Sequence, residues 1–385
     1  MNSQEILTYS KRLFQEYDTY RVNVFLKRAF KPEILQRAIE SLAENSYGLL
    51  KIRQAGISFE GRNIRLLSIG NGNISVLLWS QMHGDESTAT MAICDILNYL
   101  IRTKNESFTQ CILSSINLLF VPMLNPDGAA RFQRRTAQGI DMNRDALALV
   151  TPEARILKTL QHELKPQFGF NLHDQELSTV GSLKELSAIG LLSPSFDYEK
   201  SENEVRLHSK HLASVFTATM EQFVRGKITK YDDSFEPRAF GDNMQKWGTS
   251  TLLVESGHVP NDPEKDFIRK LNFVGILSSL YSIATGEYKN FEIGTYENLP
   301  FNGKRAYDVI LRNVFIEHTS GIKTKTDLGI SYQVDTHSEL PPKLVDLGDL
   351  HTFVGLREID AKGKVIQQSQ LTLNQAFEWE KYFKN

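Results

Sequence analysis

The sequence predicts an α/β layer protein, with helices on both faces of a sheet and a small all-β module after them. Two observations carry this. Apolar runs of strand length alternate with stretches whose apolar residues recur at helical spacing. After about Tyr288 the texture changes to short β-type runs separated by glycines.

From Glu5 to about Ser46 the pattern is helical. Pro32 stands where a first helical turn tolerates it, and Ile34, Leu35, Ala38, Ile39 and Leu42 follow at helical spacing. From Ile57 to Ser80, short apolar runs surround Gly70-Asn71-Gly72-Asn73, which reads as a hairpin or paired strands. A helix is expected from about Ser87 to Ile101, with Met91, Ile93, Ile96 and Leu97 among its apolar positions. Further helices are expected at Pro152–Glu163, Asn203–Phe223 and Pro263–Ala284, each opened by a polar or proline signal. Between them, Ile74–Trp79, Ile116–Met123, Phe168–Leu172 and Thr251–Val254 suit buried strands. In the C-terminal part, Val309–Leu311, Val314–Ile316, Ile330–Val334, Leu350–Leu356 and Lys364–Ile366 read as strands, with turns at Gly321, Gly329, Gly348 and Gly363. The division expected is a larger unit over 1–290, opening with a helical segment at 1–45, and a small β-sandwich-like module over 291–385.

The 385 residues are 41% hydrophobic and 23% charged with a net charge of −2, values of an ordinary globular chain and not of a disordered or collagen-like one. The near-neutral balance gives no reason to expect a nucleic acid or membrane partner. Two cysteines, Cys94 and Cys111, cannot build a disulfide framework. The polar N-terminus reads as no signal peptide, and no run of about 18 apolar residues is present, so a cytoplasmic setting is expected.

The four strand candidates each run into a polar cluster: His83-Gly84-Asp85-Glu86, Asn125-Pro126-Asp127-Gly128, His173-Asp174-Gln175-Glu176 and Glu255-Ser256-Gly257. Ligands bind beyond the carboxyl ends of strands in open α/β sheets, so the clusters can converge in one crevice. Taken singly, His-Gly-Asp-Glu reads equally well as a solvated turn. A carboxylate straight after Thr251–Val254 is harder to explain that way, since Glu is rarely buried without a partner. His83 and Glu86, three apart at a strand-to-helix junction, can face one side, and His173 would complete two histidines and one carboxylate. That set leaves a fourth zinc position for water, the open arrangement of catalytic zinc. A general base outside the ligand set is then needed, and Glu255 is the candidate.

From about Leu50 to Gly257 the chain resembles the zinc carboxypeptidases of the carboxypeptidase A type. The resemblance begins with Gly56-Ile57-Ser58-Phe59-Glu60-Gly61-Arg62, similar to the family's Gly-x-Ser-x-Glu-Gly-Arg, and continues through His83-x-x-Glu86 and Asn125-Pro126-Asp127-Gly128. Gly139-Ile140-Asp141-Met142-Asn143-Arg144 then resembles Gly-x-Asp-Leu-Asn-Arg, followed by the strand-end His173 and by Glu255 in Val254-Glu255-Ser256. The resemblance implies a mixed, largely parallel sheet flanked by helices, one Zn2+ held by His83, Glu86 and His173, and Glu255 as general base. It implies Arg134 as the oxyanion-stabilising cation, with its neighbour Arg135 as the alternative. Asn143 and Arg144 resemble the pair that binds a substrate's terminal carboxylate, and Asp141 the acid that orients His83.

Three positions depart from the pattern. Gln175 stands where a tyrosine is usual two residues after the second histidine, Asp145 follows the Asn-Arg pair in place of Asn, and Tyr231 reads as a loop aromatic. His162, His208, His211, His258, His318, His337 and His351 show no ligand spacing, and His258 is expected on a surface loop. Trp79 and Trp247 read as core or cleft-wall aromatics.

The expected activity is that of a metallocarboxypeptidase acting on peptides or small amides with a free carboxylate. Two alternatives stand beside it: an amidase or deacylase acting on cell-wall peptides or N-acyl amino acids, and a non-catalytic binding protein on the same fold. The N-terminal helices could cover the cleft, and the β module could shape its rim or bind a partner.

Overall fold

Four strands with a continuous apolar face set the layout. The computed structural model describes residues 3–332 and 341–383. In chain order, helices α1 (Ser3–Tyr20) and α2 (Pro32–Asn45) precede strands β1 (Lys51–Ile57), β2 (Asn63–Ile69) and β3 (Ile74–Ser80). Helices α3 (Thr88–Arg102) and α4 (Ser107–Ser115) lead into β4 (Ile116–Val121), and α5 (Pro126–Arg131) and α6 (Pro152–Leu164) into β5 (Phe168–Asp174). Then come β6 (Thr179–Val180), β7 (Ile189–Leu192), α7 (Glu204–Met220), β8 (Ile228–Lys230), α8 (Phe240–Lys246), β9 (Ser250–Ser256) and α9 (Asp266–Thr285).

The main sheet has eight strands in the order β1-β2-β4-β3-β5-β9-β7-β8. Its centre, β4-β3-β5-β9, is parallel, and β1, β2 and β7 supply the antiparallel pairings. The sheet is therefore mixed and largely parallel at its core. On one face, α1, α2, α3, α4, α7 and α9 close over Leu78, Phe170, Leu172 and Val254. On the other, α6 and α8 close over Leu77, Trp79 and Val121. Among the described residues, no helix is long and apolar enough to cross a membrane.

The Gly70–Asn73 segment is not a hairpin, because β4 inserts between β2 and β3. The glycines serve close approach instead. A Cβ on Gly70, at φ +89, would lie 2.3 Å from the Ile116 carbonyl oxygen, and one on Gly72 would lie 1.8 Å from the Ser115 carbonyl carbon. The actual hairpin joins β1 to β2 through Ser58–Arg62. The single helical stretch expected at the N-terminus is two helices. Lys31, held extended at ψ 151 before Pro32, marks the restart. Helix α1 buries Ile6, Leu13 and Tyr17 in the main core, against α3 and α9, and so is a fixed part of the domain.

After α9 the chain forms α10 (Gly294–Glu297), β10 (Asn302–Gly303), β11 (Ala306–Glu317), β12 (Lys323–Ser331), β13 (Lys343–Gly348), β14 (Val354–Asp360), β15 (Val365–Gln367) and α11 (Glu380–Phe383). The two runs expected at Val309–Leu311 and Val314–Ile316 are one strand, β11, bulged at Asn313 (φ +60). The sheet order is β13-β12-β11-β14 with β15 also on β11, around a separate core of Val309, Leu311, Val314, Leu328, Ile330, Phe377 and Trp379. Val334 and His337 lie outside the described residues. The module touches the α/β domain where β10 pairs with β6.

Candidate metal centre and its surroundings

The carboxyl ends of β3, β4, β5 and β9 are adjacent, so the polar clusters that follow them meet. His83 and Glu86 occupy the loop between β3 and α3, and His173 ends β5; all three are buried. The His83 and His173 Nδ1 atoms each lie 2.7 Å from a different oxygen of Glu86. The prospective ligand atoms of the three residues lie within 4.8 Å of one another. Two imidazole nitrogens and a carboxylate oxygen aimed at one point fit zinc, and they lack the oxygen-rich shell that calcium or magnesium requires.

The loop holding His83 is braced from below. A Cβ on Gly84 would lie 2.1 Å from the Gly128 carbonyl carbon, so only glycine lets the two loops touch. Asn125 caps α5 by accepting from the Gly128 N–H at 2.9 Å and donates to the Met82 carbonyl. Asn-Pro-Asp-Gly thus acts as a cradle for the His83 loop.

Asp141 joins the remaining parts. Its Oδ1 lies 3.0 Å from His83 Nε2 and accepts from the Asn143 N–H at 2.9 Å, and its Oδ2 lies 3.2 Å from Arg134 Nη2. Arg134 also donates Nη1 to Glu86 Oε1 at 3.0 Å, whereas Arg135 turns to the Gly139 carbonyl. The structure therefore brings Arg134, and not Arg135, to the cluster. Burial lowers the His83 pKa, but Glu86 and Asp141 outweigh it and hold the ring near 9. Burial brings the His173 pKa down. Burial opposes ionisation of Glu86, yet the two facing histidines hold its carboxyl well below the usual range.

Glu255 stands directly across the strand pair from His173, as its register partner between β5 and β9. Burial first, and then the Glu86 charge, raise its pKa well above the carboxylate range. Its other neighbour in register is Gly190 on β7. A Cβ on Gly190 would lie 2.8 Å from the Tyr231 ring, 2.9 Å from Gln175 Oε1 and 3.4 Å from Glu255 Cβ. Tyr231 is therefore beside the cluster, contrary to its reading as a loop aromatic, and its hydroxyl donates to Gln175 Oε1 at 3.2 Å. Burial and the charges of Glu255 and Glu86 push that hydroxyl's pKa upward.

Asn143 and Arg144 lie on a short turn that Asp141 caps. Asn143 Oδ1 accepts from the Phe240 N–H at 2.9 Å, which ties this turn to α8. Arg144 faces Glu236 at 3.6 Å, and Glu236 is also held by Arg238. No motif announced Glu236. Asp145 accepts from the Val150 and Thr151 N–H groups and the Thr151 hydroxyl, so its place in the pattern is structural.

His258 lies in the loop between β9 and α9 and is half-buried there; burial, then Lys265 and Arg28, pull its pKa down to about 2. His211 bonds the Phe291 carbonyl and His208 stacks on Phe168, while His318 and His351 lie on the β module. Trp79 is fully buried under the sheet, and Trp247 packs against Phe240.

Comparison with known proteins places this geometry. The chain is 28% identical over 127 residues to a probable carboxypeptidase 2 of Trichophyton verrucosum, covering 30% of this chain and 24% of that protein. It is 30% identical over 95 residues to carboxypeptidase B of Astacus astacus, covering 24% of this chain and 31% of that one. The matches thus span about a quarter to a third of these curated relatives. A metallo-carboxypeptidase from Burkholderia cenocepacia superposes with a TM-score of 0.55 at 15% identity, over 67% of this chain and 70% of that one, which shows a shared fold. The zinc carboxypeptidase family model matches residues 35–247, a range that holds His83, Glu86, Asp141, Asn143, Arg144 and His173 and ends just before Glu255. Matched over more than half its length, the chain belongs to the zinc carboxypeptidase family.

Proposed function

We propose that this protein is a zinc metallocarboxypeptidase that hydrolyses the C-terminal amide bond of peptides, with its chemistry in the α/β domain of residues 1–290 and the β module of 291–385 outside it. The observation that carries the reading is the meeting of His83, Glu86 and His173 with an unpaired Glu255 oxygen opposite His173. His83 Nδ1, His173 Nδ1 and Glu86 would hold the ion, with Asp141 orienting the His83 ring. Bound zinc supplies acidification of a water molecule and polarisation of the scissile carbonyl.

Glu255 takes the proton of the attacking water and returns it to the leaving nitrogen. A carboxyl whose pKa is raised by burial suits that exchange near neutral pH. Arg134, held between Glu86 and Asp141, presents fixed positive charge where the oxyanion develops. Arg144 and Asn143 hold the substrate's terminal carboxylate, a planar fork against a planar anion.

Replacing Glu255 with Gln is expected to lower turnover of a C-terminally free peptide by about 10²–10⁴-fold while zinc content is retained. A Glu255→Gln enzyme with ordinary turnover would sink the mechanism. A second reading, an amidase acting on cell-wall peptides or N-acyl amino acids, is favoured by Glu236. A carboxylate already facing Arg144 competes with a terminal carboxylate for the same guanidinium. Equal cleavage of C-terminally free and amidated peptides would overturn carboxylate recognition by Arg144.

A further inference from the structure

A buried cation stands behind the strand pair that carries His173 and Glu255. Lys265 is 1% exposed. Its Nζ donates to the Ser256 carbonyl at 3.0 Å and lies 3.3 Å from Asp174 Oδ2. Asp174 and Ser256 are register partners, one step beyond His173 and Glu255 on the same two strands. One ammonium therefore bridges the ends of β5 and β9 where each has just delivered a site residue.

The placement is unfavourable in three separate ways. An ammonium is removed from water. The Lys265 backbone is left-handed, at φ +54, which a side chain with a Cβ disfavours. The residue immediately precedes α9, and a helix N-terminus repels positive charge. Capping of α9 does not require it, because Asp262 accepts the Phe267 and Ile268 N–H groups. Its partners are fixed in turn. Asp174 accepts from the Thr88 hydroxyl at 2.6 Å and gives its own N–H to Glu86 Oε2 at 3.2 Å, and Ser256 Oγ accepts from Asn272 at 2.9 Å.

We propose that Lys265 is a positioning residue: by bridging Asp174 and Ser256 it sets the lateral distance between the ends of β5 and β9, and so holds Glu255 against the His83–Glu86–His173 cluster. Its hydrogen bond and ion pair go to Ser256 and Asp174, one step removed from the cluster residues themselves. The inference rests on the reading of Glu255 as general base.

The test uses the full chain loaded with zinc, and a parallel preparation loaded with cobalt. Lys265→Met keeps most of the length of the side chain without the ammonium, and Lys265→Arg keeps a positive charge with hydrogen-bond donors. Lys265→Met should lower kcat by about 10–100-fold with KM changed less than about twofold, since a small misplacement of a reacting group costs rate and leaves binding alone. Metal content and the cobalt absorption spectrum should match the parent, and Lys265→Arg should recover most of kcat. A Lys265→Met enzyme with parental kcat overturns the proposal. So does one whose kcat falls together with metal content or with a changed cobalt spectrum, because the lysine then supports the metal cluster itself. If Lys265→Met does not fold, Asp174→Asn decides: lowered kcat at full metal content supports the proposal, and parental kcat overturns it. Glu255→Gln is assayed alongside. An active Glu255→Gln removes the general-base reading, whereas an inactive one beside a fully active Lys265→Met removes the positioning role alone.

Discussion

Two of the buried charge clusters in the α/β domain are finished differently. Between α3 and α9, Asp95 and Arg269 are both fully buried. Asp95 Oδ1 accepts from Arg269 Nη2 at 2.6 Å and the Val22 N–H at 2.7 Å, and Oδ2 from Arg269 Nε at 2.7 Å and the Tyr17 hydroxyl at 2.9 Å. Arg269 Nη2 also reaches the Val22 carbonyl. Each carboxylate oxygen has two donors, and the pair locks α1 and the segment after it onto the core. At the strand ends, by contrast, His173 Nε2 and Glu255 Oε2 have no partner among the described residues, and two imidazoles converge on one carboxylate. A satisfied buried ion pair holds the fold, and an unsatisfied one is a place where chemistry can occur. Burial of charge is common to both; unfilled hydrogen-bonding capacity separates them.

The comparison can be broken at either cluster. The largest effect is expected from Asp95→Ala, which leaves Arg269 in the core without its carboxylate partner. Urea unfolding should show a loss of about 3–5 kcal/mol. A loss below about 1 kcal/mol would mean that the pair is no lock.

Asp141→Asn comes next. It keeps the shape beside His83 but removes the charge, and zinc affinity measured by competition with a chelator should fall about 10–100-fold. Unchanged affinity would detach Asp141 from the metal cluster.

Glu255→Gln should have the opposite sign on stability from Asp95→Ala. Because the folded pKa of Glu255 is raised, the native state keeps its proton at pH values where the unfolded chain has released it. That contribution is present in acid and is lost as pH rises above the ordinary carboxylate range. Gln does not titrate, so the metal-free variant should gain on the order of 1 kcal/mol near neutral pH. A clear loss of stability would mean that Glu255 is structural.

At neutral pH the smallest effect belongs to His258, whose folded pKa of about 2 lies below the unfolded value. Its neutral burial favours folding above the ordinary histidine range. That benefit is lost as pH falls below about 6.5, by at most about 1.4 kcal/mol per pH unit. His258→Gln should flatten that part of the stability profile, and an unchanged profile would show that the ring titrates freely.

Much of the fold was legible in the sequence because its signals are local. The four central strands are near-continuous apolar runs, and the helices at Thr88, Pro152, Glu204 and Asp266 begin at or just after the residues that announced them. The two glycines near residue 71 were misread as a turn because glycine marks close backbone approach as readily as reversal. Helix α4 went unseen because its nine residues are too few for a periodic signal. Tyr231 and Glu236 escape a sequence reading for one reason. Each owes its environment to a partner far away in the chain: Gln175 and Gly190 for Tyr231, and Arg144 for Glu236.

The sequence by itself determined the chemical types at the strand ends: two histidines and a carboxylate suited to zinc, a further glutamate, and arginines near them. It also determined the alternation of strands and helices that puts such residues beyond one edge of a sheet. Only the tertiary structure decided which of them meet. It selected Arg134 over Arg135, set Glu255 opposite His173, brought Tyr231 beside Gln175 and Glu255, and drove Lys265 behind the strand pair. The reason is physical. Side-chain chemistry and periodicity belong to each residue and its near neighbours, whereas strand order and the burial of a charge are settled by pairings across the whole sheet.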